Sequence, residues 1–358
     1  MTRALGAALL GAVIGVVAAA FDSPSLYVPG IGLVLLGTGA WVWVVLAAQG
    51  AGVRRDAGPP VVEEEQPYPV HLSLPRGIVR PPGGELFEPL LGRPIPLRRN
   101  TPRRIRVDVR FARRGRRGVE PARLVIADPL GLARREMLSD AAEVLVLPRI
   151  EPLSSAGAGA ADGLAGEAAR SASHAAELEL DTLRPYRPGT PASRIHWPTV
   201  ARRGEVMERR LIADVDLRPL VVLDPRRPAS EEALDMAARA AASLTVHLAR
   251  IGGCSLLLPG DRRASEVEPD LRSWPPLHAR LALIQPEDGP PLAARVERAG
   301  AVFWVAAGVS APPAGIARAA AAVRYLVTPA PLTGARTEFA VAGCVVQRLD
   351  RRGTRSAA

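Results

Sequence analysis

The chain has 358 residues and is 48% hydrophobic, enough to bury cores in two or three domains and outside the composition of a disordered protein. Its formal net charge is +10 with a pI near 10.9, and all 46 basic residues are arginine. The absence of lysine excludes a Schiff-base enzyme, a catalytic lysine and the phosphate-loop lysine of nucleotide-binding ATPases. The charge would suit an acidic partner or an anionic surface, but in so Ala/Gly/Pro-rich a chain it also reflects composition and assigns no ligand by itself.

The first predicted elements are apolar. ALGAALLGAVIGVVAAA from Ala4 to Ala20 and IGLVLLGTGAWVWVVLAA from Ile31 to Ala48 each approach the roughly 17–25 residues that cross a bilayer. FDSPSLYVPG between them supplies a polar turn, so 1–50 is expected to be a transmembrane helical hairpin in the cell membrane. A cleaved signal ending near Ala18–Ala20, followed by one span, is the alternative. The lone Arg3 ahead of the first run, and the second run following almost at once, favour the hairpin. Arg3, Arg54 and Arg55 lie outside the pair and Asp22 lies in the turn, which places both ends, and the soluble domains, in the cytoplasm. Tyr27, Trp41 and Trp43 lie toward the ends of the second span, as interfacial aromatics do.

Residues 51–67, with AGPPVVEEEQ at their centre, read as a solvated linker. From 68 to 153 the pattern is that of strands. RRIRVDVRF puts Ile105, Val107, Val109 and Phe111 on one face and Arg104, Arg106, Asp108 and Arg110 on the other. The Arg/Gly cluster from Arg113 to Gly118 reads as a hairpin turn, and ARLVIADPLGL and AEVLVLPRI supply more strands, so a small β-sandwich-like domain is expected. Residues 154–180 are low in complexity and read as a flexible linker, with His174 exposed in it.

From Arg218 strands and helices alternate. RPLVVLD is a continuous apolar strand, of the kind buried on both faces. SEEALDMAARAAASLTVHLARIG places Leu234, Ala237, Ala241, Leu244 and Leu248 on one helical face, with Ser230 as cap and Gly252 as stop. GCSLLLP reads as a second strand, LRSWPPLHARLALI as a second helix, AVFWVAAG as a third strand and IARAAAAVRYLVT as a helix running into a fourth, and FAVAGCVVQRL closes the series. A doubly wound α/β sheet with helices on both faces is expected within 181–350, before a basic tail at 351–358. Cys254 and Cys344 sit in apolar runs without metal spacing and read as buried core thiols, and His247 and His278 as packed or surface side chains.

The segment LRPYRPGTPASRIHWPTVARRGEV resembles the signature of the bacterial family catalogued as domain of unknown function 58. Tyr186, Gly189, Arg194, Ile195, His196, Trp197, Ala201 and Arg202 fall on its pattern, and RLVIADPLGL and EVLVLPRIEP resemble the stretches before it. The resemblance implies a C-terminal α/β von Willebrand factor type A-like domain. It also implies a MoxR-type AAA+ ATPase as partner and a transglutaminase-like membrane protein as neighbour, in cell-envelope or protein-maturation work. Thr190 stands where the family has Asp, and Pro198 where it has Lys. A metal-competent type A domain needs D-x-S-x-S after its first strand, so that carboxylate and hydroxyl oxygens converge on one hard cation. Asp224-Pro225-Arg226-Arg227-Pro228 lacks both hydroxyls, and FWVAAGVSAPP offers no further acid. The site at Asp224 is therefore degenerate, and neither metal nor cofactor is expected.

In physical terms Pro188-Gly189 reads as a turn, Thr190-Pro191 as a cap, and ASRIHW as a helical turn ending near Pro198. Ile195 and Trp197 are expected as anchors beneath this corner, with Arg187, Arg194, Arg202 and Arg203 outward or paired with Asp181, Glu205 and Glu208. Two readings stand side by side: a corner joining the strand-rich and α/β parts, and a docking surface whose arginines recognise carboxylates. His196 has neither nucleophile nor spaced acid beside it in sequence, and no hydrolase, zinc-protease or phosphate-loop pattern occurs. The expectation is a non-enzymatic, membrane-anchored interaction protein. The alternative is electrostatic binding of anionic lipid by the basic membrane-proximal domain. At 4% aromatic residues, with no stacking or helix-turn-helix signature, specific nucleic-acid reading is not expected.

Overall fold

The computed structural model describes residues 2–56, 58–75, 77–98, 101–153, 182–186, 195–210, 218–287, 299–308, 316, 321–332 and 337–349. The segments read as a flexible linker at 154–180 and as a basic tail at 351–358 lie outside them. The chain divides into two units, Met1–Ala112 with Arg116–Val146, and Arg113–Gly115 with Leu147–Ala358.

The first unit opens with helices α1 (Thr2–Ala20) and α2 (Pro24–Ala48), both long and apolar enough to cross a membrane. α2 begins at Pro24, seven residues before the apolar run read from sequence. A proline in the first helical turn forfeits no hydrogen bond, and Asp22, at φ 45°, turns the chain in the space between. The helices touch through glycines. A Cβ on Gly11 would lie 2.5 Å from Gly30 O, and one on Gly37 would lie 2.5 Å from Ala4 O. Small residues of this kind let apolar helices approach by backbone, the packing used where no hydrophobic effect drives association. Leu5, Leu9, Val16, Val28 and Leu35 are left exposed around the pair.

Ten short strands follow: β1 (Arg54–Asp56), β2 (Val61–Glu63), β3 (Tyr68–Ser73), β4 (Gly84–Phe87), β5 (Pro94–Pro96), β6 (Arg104–Val109), β7 (Gly115–Val119), β8 (Arg123–Ala127), β9 (Arg134–Leu138) and β10 (Ala142–Leu147). They form sheets ordered β1-β3-β6, β2-β10-β7 and β5-β4-β8-β9. β6 alternates as read, with Val107 buried and Arg104, Arg106 and Asp108 exposed. Tyr68, Val70, Leu72, Leu86, Val144 and Val146 form the centre of the core.

Two expectations fail in this unit. The stretch read as linker 51–67 is built into the sheets: Arg54 pairs with Ser73, Leu145 N donates to Pro60 O at 2.9 Å, and Val53, Val62 and Glu64 are buried. Strands of three residues are too short to show an alternation, so the Pro and Glu content dominated the reading. The Arg113–Gly118 cluster is not a hairpin turn either. β6 and β7 lie in different sheets, and Gly115–Gly118 already belong to β7.

Burial also isolates an ion pair. Arg55 Nη2 meets Glu88 Oε1 at 2.6 Å with side chains 1% and 0% exposed, and Arg55 Nη1 donates to Val119 O at 3.3 Å.

In the second unit, β11 (Thr182–Pro185), α3 (Trp197–Arg203) and β12 (Met207–Arg210) form a small corner. Beyond it come β13 (Leu220–Asp224), α4 (Glu231–Gly252), β14 (Cys254–Leu257), β15 (Ser265–Val267), α5 (Trp274–Ala282), β16 (Ala299–Ala306), β17 (Ala321–Thr328), β18 (Thr337–Val341) and β19 (Cys344–Arg348). The sheet order is β15-β14-β13-β16-β17-β19-β18. β14, β13, β16 and β17 run parallel, while β15 and the β18–β19 hairpin add antiparallel edges. β13 and β16 are buried throughout, as strands covered on both faces must be.

α4 forms as its sequence dictates. Ser230 accepts from Ala233 N, Glu231 and Glu232 lie in the first turn, Arg250 lies in the last, and Gly253 leaves the helix at φ 87°. The expected face of Leu234, Ala237, Ala241, Leu244 and Leu248 is buried. α4 and α5 share one core with Leu256, Phe303 and Tyr325, on one side of the sheet. On the opposite side Leu220, Val222, Trp304 and Leu326 are buried with Ile316, the one described residue between 309 and 320, and it is helical; the rest of the helix read there from sequence lies outside the described residues.

Replacing Glu88 by Ala strands the Arg55 guanidinium without its counter-charge. It is expected to cost about 3–5 kcal/mol, read as a lowered unfolding midpoint, with Arg55→Met in addition recovering most of the loss. Burial pushes the Cys254 and Cys344 thiols up to about 12 from the ordinary 9.0. The stability that keeps them neutral is full below pH 9.0 and lost as pH rises toward about 12. At neutral pH an alkylating reagent is expected to label neither cysteine in the folded chain and both after denaturation.

Candidate functional site

The signature corner is held by backbone bonds. β11 and β12 pair antiparallel from Thr182↔Arg210 to Pro185↔Met207, and Tyr186 N continues the ladder to Val206 O at 2.9 Å. Ile195 forms a bridge, and His196 N donates to Met207 O at 2.8 Å. The helix starts at Trp197 with Pro198 in its first turn, so Pro198 opens a helix instead of ending the one read over ASRIHW. Gly204 closes α3 in the left-handed region at φ 72°, its N–H bonded to Val200 O.

Trp197 is not the anchor expected from sequence. It is 61% exposed at the start of a solvent-facing helix, beside exposed Pro198, Ala201 and Arg202. Ile195, His196 and Tyr186 are half-buried, and Val206 is 43% exposed. Trp197 fails as an anchor because the helix starts one residue earlier than Pro198, which turns the indole outward. Arg187, Gly189 and Arg194 lie outside the described residues, and for Arg203 only the helical backbone is described.

The structure also supplies a neighbour for His196 that sequence spacing did not suggest. Thr199 Oγ1 lies 2.7 Å from His196 Nδ1, one helical turn on. A hydroxyl and an imidazole make two members of a nucleophilic set, but no described carboxylate hydrogen-bonds the ring to orient it. The pair satisfies the first turn of α3 locally.

The second candidate lies at the end of the sheet. β13 has β14 on one side and β16 on the other, so its carboxyl end is a topological switch point, the place where open α/β sheets bind ligands. Asp224 stands there, 4% exposed. Arg226 grips it bidentately, Nε to Oδ1 at 2.7 Å and Nη2 to Oδ2 at 2.5 Å. Arg226 N and Trp304 Nε1 add bonds of 3.2 Å each, which brings the carboxylate to four donors. The hydrogen bonds to Asp224 raise the Arg226 pKa above its ordinary value against the opposing effect of burial. Gly308 fixes the loop: a Cβ there would come within 2.0 Å of Arg227 O. The guanidinium thus occupies the carboxylate face on which a hard cation would have to bind. Among the described residues no group of three or more His, Cys, Asp or Glu is arranged to hold a metal.

Other singled-out residues are packed. His278 is buried, bonds Pro148 O at 2.7 Å and stacks on Trp274 at 4.8 Å. His174 lies outside the described residues. Arg113 and Arg114, read from sequence only as part of a turn, belong to the second unit: Arg114 Nε bonds Asp235 Oδ1 at 2.9 Å, and Arg113 Nε bonds Asp235 Oδ2 at 2.8 Å. Arg114 also donates to the carbonyl of Leu281 in the last turn of α5 and to that of Ile284 just beyond it, so the pair is a structural clamp. Its only sequence signal is two adjacent arginines.

No family model matches the chain, and no curated protein or solved structure matches it.

Arg226→Ala is expected to destabilise the folded chain by about 3 kcal/mol, since it leaves a buried carboxylate held only by two weaker donors. Adding Asp224→Asn should restore most of that loss. Chemical unfolding of the single and double variants measures both, and a double variant no more stable than Arg226→Ala would show that Arg226 acts through something other than this charge.

Proposed function

We propose that the chain is a membrane-anchored interaction protein whose second unit docks a soluble partner through the 182–210 corner. The observation that carries this reading is the exposed Trp197 beside exposed Arg202 on a corner whose backbone is already bonded in place. Tryptophan and arginine are the residues that most often dominate binding energy at interfaces, and a pre-ordered backbone lowers the entropy lost on docking. The two apolar helices support anchoring in a membrane, with their exposed Leu and Val facing lipid.

The likeness of the signature to the domain of unknown function 58 family supplies the partner class: a MoxR-type AAA+ ATPase, met through carboxylates that pair with arginine. The switch point at Asp224 and the parallel centre of the sheet support a von Willebrand factor type A-like second unit. In that reading Arg226 stands in for the metal, so partner binding runs through the corner and not through a bound cation. The work is binding without turnover. A transglutaminase-like membrane protein is a further partner on the same resemblance.

The test uses the full chain in neutral detergent and a purified MoxR-type AAA+ ATPase from the same organism. Wild type is expected to bind, and Trp197→Ala with Arg202→Gln to weaken binding by about 30-fold or more, the effect of losing about 2 kcal/mol at a hot spot. Both side chains are solvent-facing, so the unfolding midpoint should not move. Equal binding by wild type and variant would remove the corner from the interface, and no binding by wild type would remove the partner.

A further inference from the structure

The first unit contains a cavity of about 790 Å³ near the C-terminal end of α2. Its lining brings together Trp43, the loop around Ile78, and three arginines, Arg80, Arg98 and Arg103, with no Asp or Glu among the lining residues. Leu74, Leu97 and Ile126 supply an apolar floor. A hollow that is cationic at its rim and apolar beneath fits an amphiphilic anion.

The parts are fixed in place by the backbone. Trp43 Nε1 donates to Arg80 O at 3.1 Å, and Ile78 N donates to Gln49 O at 3.0 Å, so the loop is tied to the end of the helix at two points. Gly77 lies so close that a Cβ would fall 2.0 Å from Ala47 O, and only glycine permits this approach. Arg98 N donates to Thr101 Oγ1 at 2.7 Å, and Leu74 N donates to Arg103 O at 2.9 Å. All three arginines are exposed while their backbones are tethered, which leaves the guanidinium groups free to swing onto a ligand.

We propose that this cavity holds the headgroup phosphate and glycerol of an anionic phospholipid. The inference rests on the reading of α1 and α2 as a membrane hairpin. If α2 spans the bilayer, Trp43, six residues from Gln49, lies at the interfacial depth where indoles settle and lipid phosphates sit. Ile78, 72% exposed, and Val79 beside it then meet the acyl boundary, and the arginines face the phosphate layer. Arginine's planar fork pairs two phosphate oxygens at once, and each basic residue near an anionic surface adds attraction that salt screens over about 8–10 Å. The ligand class is therefore a lipid phosphate carrying net negative charge, distinct from a zwitterionic headgroup by charge and from free phosphate by its apolar part.

The experiment is native mass spectrometry of the full chain released from neutral detergent, after addition of phosphatidylglycerol, phosphatidylcholine or inorganic phosphate in separate arms. Wild type is expected to retain phosphatidylglycerol about tenfold more than phosphatidylcholine. The triple variant Arg80→Gln, Arg98→Gln, Arg103→Gln should lose that preference while keeping its unfolding midpoint, since all three side chains are exposed. Equal retention of the two lipids, or an unchanged preference in the variant, overturns the proposal. Displacement of phosphatidylglycerol by millimolar inorganic phosphate would assign the site to the free anion and overturn it as well. Failure of the underlying reading is seen separately: a chain recovered in the aqueous fraction without detergent has no membrane hairpin, whereas one that needs detergent but shows no lipid preference has the hairpin and not the site.

Discussion

The second unit depends on one buried negative charge being neutralised by its own chain. Leu220–Asp224 is buried at every position, so the sheet is centred on a strand that ends in a carboxylate with almost no access to water. An unpaired carboxylate there would cost several kcal/mol and oppose formation of the very strand that β14 and β16 pair with. Arg226 removes the cost from two residues away, and Trp304 of β16 contributes the indole N–H. The central strand, its neighbour and the loop after it are thereby locked in one arrangement. The loop that would be open for a ligand in many α/β sheets is committed to holding itself together.

The first unit meets a different constraint with a similar device. Its helices make contact where side chains are missing, at Gly11, Gly30 and Gly37. The same logic recurs where the loop at Gly77 lies on the carbonyl of Ala47. Close backbone approach positions Trp43 and Arg80 relative to each other more tightly than side-chain packing would. It does so at the one place where an apolar helix ends and an arginine-rich sheet begins.

How much of this was legible in the sequence depended on length of pattern. The β6 alternation, the cap and apolar face of α4, and the continuous apolar strand β13 are long enough to be read directly, because period and burial coincide over five or more residues. β1 and β2 were hidden because three residues make no period, and a Pro/Glu-rich composition spoke louder. β15 was hidden as β1 and β2 were, being three residues with one apolar side chain, and the antiparallel run of β18–β19 because an apolar strand looks alike in either direction. At the corner, a single residue of phase decided the outcome. A helix starting at Trp197 faces the indole to solvent, and no sequence rule fixes a helix start to better than a residue or two. The intrusion of arginine at Asp224 was readable as chemistry, though not as a bidentate grip, since that needs the turn between them.

The net charge of +10 is therefore not one property with one meaning. Arg55 and Arg226 are consumed inside the fold, each bonded to a carboxylate that would otherwise be stranded. Arg113 and Arg114 share Asp235 and are consumed likewise. What the chain can offer to others is the remainder, and its position matters more than its sum. Arg202 stands next to an exposed indole, a setting that favours a protein surface; Arg80, Arg98 and Arg103 surround an apolar hollow beside a helix long enough to cross a bilayer, a setting that favours a lipid. The same guanidinium chemistry would suit either proposed ligand, because each setting adds the apolar contact that salt cannot screen. Selectivity between them would come from the neighbours of each arginine and not from the arginine itself.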